Sequence, residues 1–395
     1  MSHYRLRPTS DQARVLAGHC AHARYVWNLA VEQHTLWTPW RGPAPNYVAQ
    51  ARQLTEARRE YGWLRAGAQM VQQQALRDFA QAMSNFYAGT HRRPTWRKAG
   101  RDEGFRVVAV RPEHVERLSR NAARVWVPKA GWVRFRLSRP VPEGVKSYRI
   151  TMDRAGRWHV GFAAVPAPIE APGNGDVVGV DRGVTVSAAL STGDMLNVPG
   201  LTVTEQRRLK RLERTLSRAR RGSNRRRRVR TQIAVLKARE TDRRKDWVER
   251  TSTDLARRFD VIGVEDLNIR GMTRSAKGTV EAPGRRVRQK AGLNRGILSA
   301  GWGGLVQRLE HKAPGRVIKI NPAYSSQTCS VCGVTDREAR ESQARFSCRA
   351  CGHTQNADVN AAVNMKTAAG RAVTAREGPS DSGPVHREPQ LLLSA

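Results

Sequence analysis

Val177-Val178-Gly179-Val180-Asp181 and, later in the chain, Val261-Ile262-Gly263-Val264-Glu265-Asp266 carry most of the information about the fold. Each is a short apolar run, rich in β-branched residues, that stops at a carboxylate; such runs read as buried strands. Val184 to Leu190 reads as the hairpin partner of the first run, and Val317 to Ile320 as a third buried strand. Helical patterns lie between them, so this part of the chain is a mixed α/β region. Asp181 and Glu265 end strands, and Asp358 sits at the start of a short Ala-rich helix, Val359 to Ala369. Three acids so placed can converge at one edge of a sheet, where hard oxygen donors suit two divalent ions, Mg²⁺ or Mn²⁺. Any one of them alone would more often be a turn or cap residue. Asp176, Asp266 and Asp336 compete less well, because the first precedes its strand, the second faces away from Glu265 and the third lies inside a cysteine segment.

That segment reads Cys329-Ser330-Val331-Cys332, then fifteen residues, then Cys348-Arg349-Ala350-Cys351. Two such pairs suit a tetrahedral zinc ribbon, because each knuckle turns backbone amides toward its sulfurs while the intervening loop brings the pairs together. Four sulfurs leave no position open for water, so the expected Zn²⁺ is structural. His353 is superfluous as a ligand and is expected on the surface, and a redox dithiol would need one pair rather than two. Five cysteines in 395 residues are too few for a disulfide scaffold. Cys20, the fifth, falls on an apolar helix face and is expected to be a packed thiol.

Working outward toward the N-terminus, Tyr4 and Leu6 alternate with Arg5 as in a strand, and Thr9-Ser10-Asp11-Gln12 has the capping-box pattern. Leu16, Cys20, Ala23, Trp27 and Ala30 then mark one face of a helix. Helical spacing resumes through Met70, Leu76, Phe79, Met83 and Tyr87. From Phe105 to Val165 short β-rich runs follow one another, with Asp153-Arg154-Ala155-Gly156 as a hairpin turn, which suggests a small barrel or meander. Pro166 to Gly175 reads as a linker. At roughly 150 residues per domain the length allows two or three domains.

Charge names the partner class. Lys and Arg number 70 against 34 Asp and Glu, a formal charge of +36. Glu205 to Arg250 alone holds 19 basic and 6 acidic residues, including Arg218, Arg220, Arg221 and Arg225, Arg226, Arg227, Arg228. Leu209, Leu212, Leu216, Ile233 and Leu236 supply an apolar stripe, so a helical hairpin broken near Gly222 and Ser223 is expected over residues 204–259. Such a lopsided run repels itself unless it meets phosphate, which makes these arginines candidate nucleic-acid contacts. No run approaches the ~18 apolar residues of a membrane helix, and Met1 to Ser10 lacks the apolar middle of a secretory signal. A cytoplasmic, nucleoid-associated protein with no membrane partner is the expectation.

The blocks Gly179-Val180-Asp181-Arg182-Gly183-Val184, Ile262-Gly263-Val264-Glu265-Asp266-Leu267, Asn321-Pro322-Ala323-Tyr324-Ser325-Ser326-Gln327-Thr328-Cys329 and Ala357-Asp358-Val359-Asn360-Ala361-Ala362 together resemble transposon-encoded TnpB proteins, relatives of compact type V CRISPR effectors. Arg5 to Thr9 and Arg24-Tyr25-Val26-Trp27-Asn28 resemble that family's opening strand and first helix, so the similarity covers residues 1 to about 369. The resemblance implies a multidomain α+β chain. Residues 1–9 and 100–170 would form a wedge-like β-barrel interrupted by a helical recognition insertion at 10–99. Residues 171–320 would be a RuvC-like nuclease of RNase H-like fold, 321–354 the inserted zinc ribbon, 355–369 the last acid and its helix, and 370–395 a flexible tail.

It further implies an RNA-guided DNA endonuclease of an insertion sequence, with Asp181, Glu265 and Asp358 as catalytic acids on Mg²⁺ or Mn²⁺ and Cys329, Cys332, Cys348 and Cys351 on one Zn²⁺. A guide RNA from the element's own locus and double-stranded target DNA would be its partners. Many relatives carry an acid and an arginine just before the last aspartate, where this chain has Asn356 and Ala357. Three other readings stand beside it: a nuclease-inactive guided repressor, which keeps the architecture but would be expected to lose acids that this chain retains; a DNA transposase, which the ribbon placed immediately before the last acid disfavours; and a general zinc-ribbon nucleic-acid binder.

Overall fold

The computed structural model describes residues 2–377 apart from Gln343. The chain divides into two compact units, with boundaries after Pro166, Thr202 and Ala238.

In the first unit, β1 (Ser2–Arg7) leads into α1 (Ser10–Leu36), followed by α2 (Tyr47–Glu60), α3 (Gly62–Ala66) and α4 (Gln69–Tyr87). The capping box starts α1: the Thr9 side chain accepts from Gln12 N, and Gln12 Oε1 accepts from Thr9 N. The face carrying Leu16, Cys20, Ala23, Trp27 and Ala30 is buried. Six more strands follow: β2 (Glu103–Val108), β3 (Val115–Arg117), β4 (Ala122–Val127), β5 (Gly131–Arg136), β6 (Ser147–Met152) and β7 (Trp158–Ala163). They join β1 in a seven-stranded sheet of order β2-β6-β7-β1-β5-β4-β3, antiparallel throughout. Alternation puts Tyr4, Phe135, Tyr148 and Phe162 on its core face, with Tyr4 5.4 Å from Phe135 and 5.6 Å from Phe162 between ring centroids. Asp153 builds the β6–β7 turn by accepting from the amides of Ala155 and Arg157, and Gly156 takes φ +76°. The short strand β3 has no counterpart in the sequence reading; its three residues are too few for a periodic signal.

The second unit opens with β8 (Val177–Asp181), β9 (Ala188–Leu190) and β10 (Met195–Leu196). Two helices carry the basic region, α5 (Val203–Arg218) and the 35-residue α6 (Asn224–Arg258), broken at 219–223 as the Gly222-Ser223 pair indicates; α5 and α6 as far as Ala238 belong to the first unit, and the rest of α6 to the second. Then come β11 (Val261–Glu265), α7 (Ile269–Met272), α8 (Val287–Ser299), α9 (Trp302–Lys312), β12 (Val317–Ile320), β13 (Arg345–Ser347), β14 (Thr354–Asn356) and α10 (Ala357–Glu377). The five-stranded sheet runs β10-β9-β8-β11-β12; β8, β11 and β12 are parallel, and β9 and β10 turn back antiparallel.

Helix α10 lies across β8 and β11 over paired glycines. Gly179 stands opposite Gly263 in the register. A Cβ on Gly179 would come within 1.8 Å of Ala362 O, and one on Gly263 within 2.8 Å of Met365 O. Absence of side chains at these two positions is what lets the helix backbone approach the sheet.

Two expectations are corrected. The single helix read near Ile297 to His311 is the pair α8 and α9, because Gly301 takes φ +73° and turns the chain between them. The terminal helix read as Val359 to Ala369 is α10, which begins at Ala357 and continues to Glu377, so residues 370–377 of the segment expected to be tail are helical. Its apolar side, Ala361, Ala362, Met365 and Ala369, is buried, and no proline interrupts it before Pro379. Residues 378–395 lie outside the described residues.

Candidate active site

Parallel pairing of β8 with β11 sets Val180 beside Val264, so the next residues, Asp181 and Glu265, leave the sheet at the same edge. Asp358 arrives there on the first turn of α10, and all three acids belong to the second unit. Asn356 Oδ1 accepts from the backbone N–H of Asp358 at 2.9 Å and of Val359 at 3.3 Å, so this asparagine caps the helix and sets where Asp358 points. Ala357 is buried against the cysteine segment. Glu265 and Asp358 are each 9% exposed.

Electrostatics place the three acids in one field. Burial raises the Asp181 carboxyl to about 7, with Glu265 and Asp358 pushing the same way and Arg340 and Arg182 opposing them. Burial also raises Glu265, against Arg182 and Arg340, and raises Asp358, against Arg340. Burial and like charge together disfavour the ionised forms, and carboxylates perturbed in this way are candidates for a functional site. Asp176 is exposed, its Oδ2 accepting from Asn174, and Asp336 makes a local turn by accepting from Glu338 N, whereas exposed Asp266 acts electrostatically on Arg182.

Two arginines complete the arrangement, and neither stood out in the sequence. Arg340 reaches from the loop between the cysteine pairs to Asp358, Nη2 to Oδ1 at 3.3 Å. Arg182, only 6% exposed, donates from Nη2 to the Glu265 backbone carbonyl, and its Nε has no hydrogen-bond partner among the described residues. Arg182 lies inside a quoted motif, yet nothing in a linear pattern says that it crosses to the neighbouring strand. Asn360 and Asn364 are a further pair of this kind. Asn360 accepts from Ser330 N and donates to Thr328 O, and Asn364 donates to Ser325 O and Thr328 O, which ties the helix carrying Asp358 to both sides of Cys329.

The four cysteines form one cluster, with ligand atoms all within 4.8 Å of one another. Cys329 Sγ stands 3.7 Å from Cys351 Sγ, and Cys332 Sγ 3.6 Å from Cys348 Sγ. Each knuckle closes on a glycine in the left-handed region: Gly333 N donates to Cys329 O with φ +74°, and Gly352 N to Cys348 O with φ +73°. Backbone amides of Cys351 and Ala350 face Cys348 and lower its thiol to about 7. This donor set fits a zinc ion. Half-buried His353 instead serves the turn, its carbonyl accepting from Cys348 N and its ring pairing with Gln355.

Among the predicted nucleic-acid contacts, Arg218 and Arg225 line a cleft with Arg211, Arg214 and Thr215. Arg220, Arg221, Arg227 and Arg228 are exposed. Arg226 is different. Its Nη1 donates to the carbonyls of Leu216 and Ala219, at 2.6 and 3.0 Å, so its guanidinium closes the end of α5.

Known families match in three segments: residues 302–365 the TNB domain of Cas12f1-like proteins, 162–276 a probable transposase and 2–37 a helix-turn-helix domain. Over 409 aligned residues the chain is 34% identical to the putative RNA-guided DNA endonuclease InsQ of Escherichia coli (strain K12), covering 99% of this chain and 98% of that one. The chain belongs to the TnpB family. A putative RNA-guided DNA endonuclease of Streptomyces pristinaespiralis is 31% identical over 94% of this chain and 89% of its own. The solved structure of a Cas12f1–sgRNA–target DNA complex has a protein chain of similar fold, at a TM-score of 0.54 and 11% identity over 91% of this chain and 83% of that one. In this TnpB-family chain the segment matched to a helix-turn-helix domain is the strand β1 and the single 27-residue helix α1. The matched TNB segment runs from the first residue of α9 through the cysteine cluster to the sheet-facing part of α10, so it includes Arg340 and Asp358.

Proposed function

We propose that this chain is an RNA-guided DNA endonuclease that hydrolyses DNA phosphodiesters at the acid cluster Asp181, Glu265 and Asp358. The observation that supports the reading is that half-buried Asp181 feels the charges of both Glu265 and Asp358, which are buried, in a chain of +36. A polyanion must approach this site, and carboxylates alone would repel it.

The donor set is all hard oxygen, which fits Mg²⁺ or Mn²⁺, and Asp181, Glu265 and Asp358 are the residues that would hold such ions. When bound, they supply Lewis acidity and a more acidic water for in-line attack at phosphorus. Arg340, already beside Asp358, is placed to take up negative charge on a phosphate oxygen. Arg182 fixes the strand end carrying Glu265 through the backbone carbonyl it binds. The strand order with β8 at its centre supports an RNase H-like reading of the five-stranded sheet, and the antiparallel seven-stranded sheet a wedge-like barrel. Guide pairing would choose the target while the protein reads backbone shape and a short adjacent motif. Exposed arginines of the α5–α6 region would hold the backbones, and Cys329, Cys332, Cys348 and Cys351 one structural Zn²⁺.

The test uses protein purified with RNA transcribed from its own locus, a plasmid library of target sites and Mg²⁺. Sequence-directed cuts that disappear in Asp181→Ala support the reading. Cuts that persist in that variant overturn the site, and guided binding with no cleavage by the wild type overturns the activity.

A further inference from the structure

Three aromatic side chains of the first unit stand together half in solvent. Tyr25 on α1, Trp63 on α3 and Trp96 beyond α4 are 46%, 49% and 54% exposed, and they line one cavity of about 420 Å³ with His22, Asn28 and Glu32. Large apolar surfaces left wet in a single concavity mark binding sites. These walls are held in place. Trp63 lies edge-on to Tyr25, 4.9 Å between centroids at 86°, and its ring is 5.7 Å from that of His22. Trp96 sits between two anchored neighbours. Thr95 O accepts from Trp27 Nε1 at 2.9 Å, and the backbone N–H and C=O of Arg97 both bond the Asn28 amide, at 2.7 and 3.0 Å. The Arg97 guanidinium covers the buried Trp27 ring, 3.6 Å from its centroid. The chain on both sides of Trp96 is therefore fastened to α1 while the indole lines the cavity.

Surroundings and walls together specify the occupant. Residues 1–166 carry 28 Lys and Arg against 11 Asp and Glu, so a polyanion is what this unit meets. The cavity itself is not a phosphate site: its one arginine, Arg24, is engaged by Glu103 at 2.5 Å, and the Glu32 carboxylate would repel phosphate. Aromatic faces stack on bases, and a carboxylate accepts from an exocyclic amine. We propose that the cavity takes one unpaired nucleobase of a bound RNA, stacked on the indoles with its amino edge toward Glu32. RNA is favoured because its loops present unstacked bases, whereas a base of duplex DNA must first be unpaired.

This inference rests on the RNA-guided reading, and its test separates the two. The full chain is titrated with RNA transcribed from its own locus and with single-stranded DNA of the same sequence, as wild type, Trp96→Ala, Trp63→Ala and Trp96→Phe. Each alanine variant is expected to weaken RNA binding about tenfold. The slope of log affinity against log salt should stay unchanged, because no phosphate contact is removed. Trp96→Phe, which keeps a stacking face, should retain most of the affinity, and photocrosslinking of the wild type should label the peptide bearing Trp96. Glu32→Gln should narrow the preference for oligo(A) and oligo(C) over oligo(U). Wild-type RNA affinity in both alanine variants overturns the inference alone, as does a crosslink from this peptide to DNA and not RNA. Absence of RNA binding by the wild type overturns the guided reading and this inference with it.

Discussion

At the scale of single residues, Asp181 bears the largest electrostatic load among the three acids. Its carboxyl is raised from 3.8 to about 7 in the folded chain, so between those values the folded state binds a proton that the unfolded state has released. The sign follows: metal-free stability from this group is complete below about pH 4 and is lost as pH rises through 7. Asp181→Asn removes the buried charge, and in metal-free protein at pH 8 we expect it to be more stable than wild type by roughly 1–2 kcal/mol, with the difference vanishing near pH 4. Thermal melts across pH with a chelator present check this, and a variant less stable than wild type at pH 8 would contradict it. Mg²⁺ should reverse the order by binding only the wild-type site. Arg340 has a different signature. Arg340→Ala should lower the cleavage rate by about 10²-fold, the scale of losing one charge-stabilising donor, while guided DNA binding is retained. A fall in binding equal to the fall in rate would point to a structural role instead. The sequence exposed the three acids because strand ends are visible in a hydrophobic pattern. It did not expose Arg340, which lies 18 residues from Asp358 and meets it only through the fold of the cysteine segment.

At the scale of elements, α10 brings Asp358 to the end of the sheet where the strands carrying Asp181 and Glu265 stop. Gly179 and Gly263 allow it to lie on the sheet, and Asn360 and Asn364 bind it to the loop around Cys329. Gly179→Ala drives a methyl group into the Ala362 carbonyl, so we expect a loss of several kcal/mol, about 2–4, or failure to fold. Chemical denaturation compared with Gly193→Ala, whose glycine has open space around it but φ +95°, separates close approach from backbone strain. Cys329 and Cys348 are buried beside Phe346 and Ala357, so the cysteine cluster and the start of α10 share one small core. Removing zinc, or replacing Cys329 and Cys348 by Ser, should therefore abolish cleavage together with the ribbon, seen as proteolytic sensitivity between Cys329 and Asp358. Undiminished cleavage by the double variant would refute that coupling. The knuckles were legible because paired cysteines that can share a metal show in the spacing. The extent of α10 was not, because an Ala-rich helix has little amphipathic contrast.

For the whole molecule, net charge is a statement about partners and not about fold. Exposed arginines in the α5–α6 region predict a steep salt dependence of nucleic-acid binding. Replacing Arg220, Arg221, Arg227 and Arg228 by Gln should weaken RNA binding and reduce the log–log salt slope by roughly one per lost phosphate contact, with the fold unchanged by circular dichroism. Arg226→Gln should behave otherwise, lowering thermal stability, because its guanidinium closes the end of α5. An equal salt slope in the fourfold variant would show that these side chains do not meet phosphate. Among the described residues no helix is long and apolar enough to cross a membrane.

The sequence by itself determined the strands that end in Asp181 and Glu265, the capping box of α1, the four-cysteine spacing and the concentration of charge, because each is written in neighbouring residues by periodicity, propensity or ligand geometry. Contacts across the fold are what bring Arg340 and Arg182 to the acids, give Arg226 a helix end to close while its neighbours stay exposed, and set Trp96 in the wall of a cavity. Those outcomes depend on contacts between residues far apart in the chain. Identical side chains then take different roles according to what the fold sets beside them.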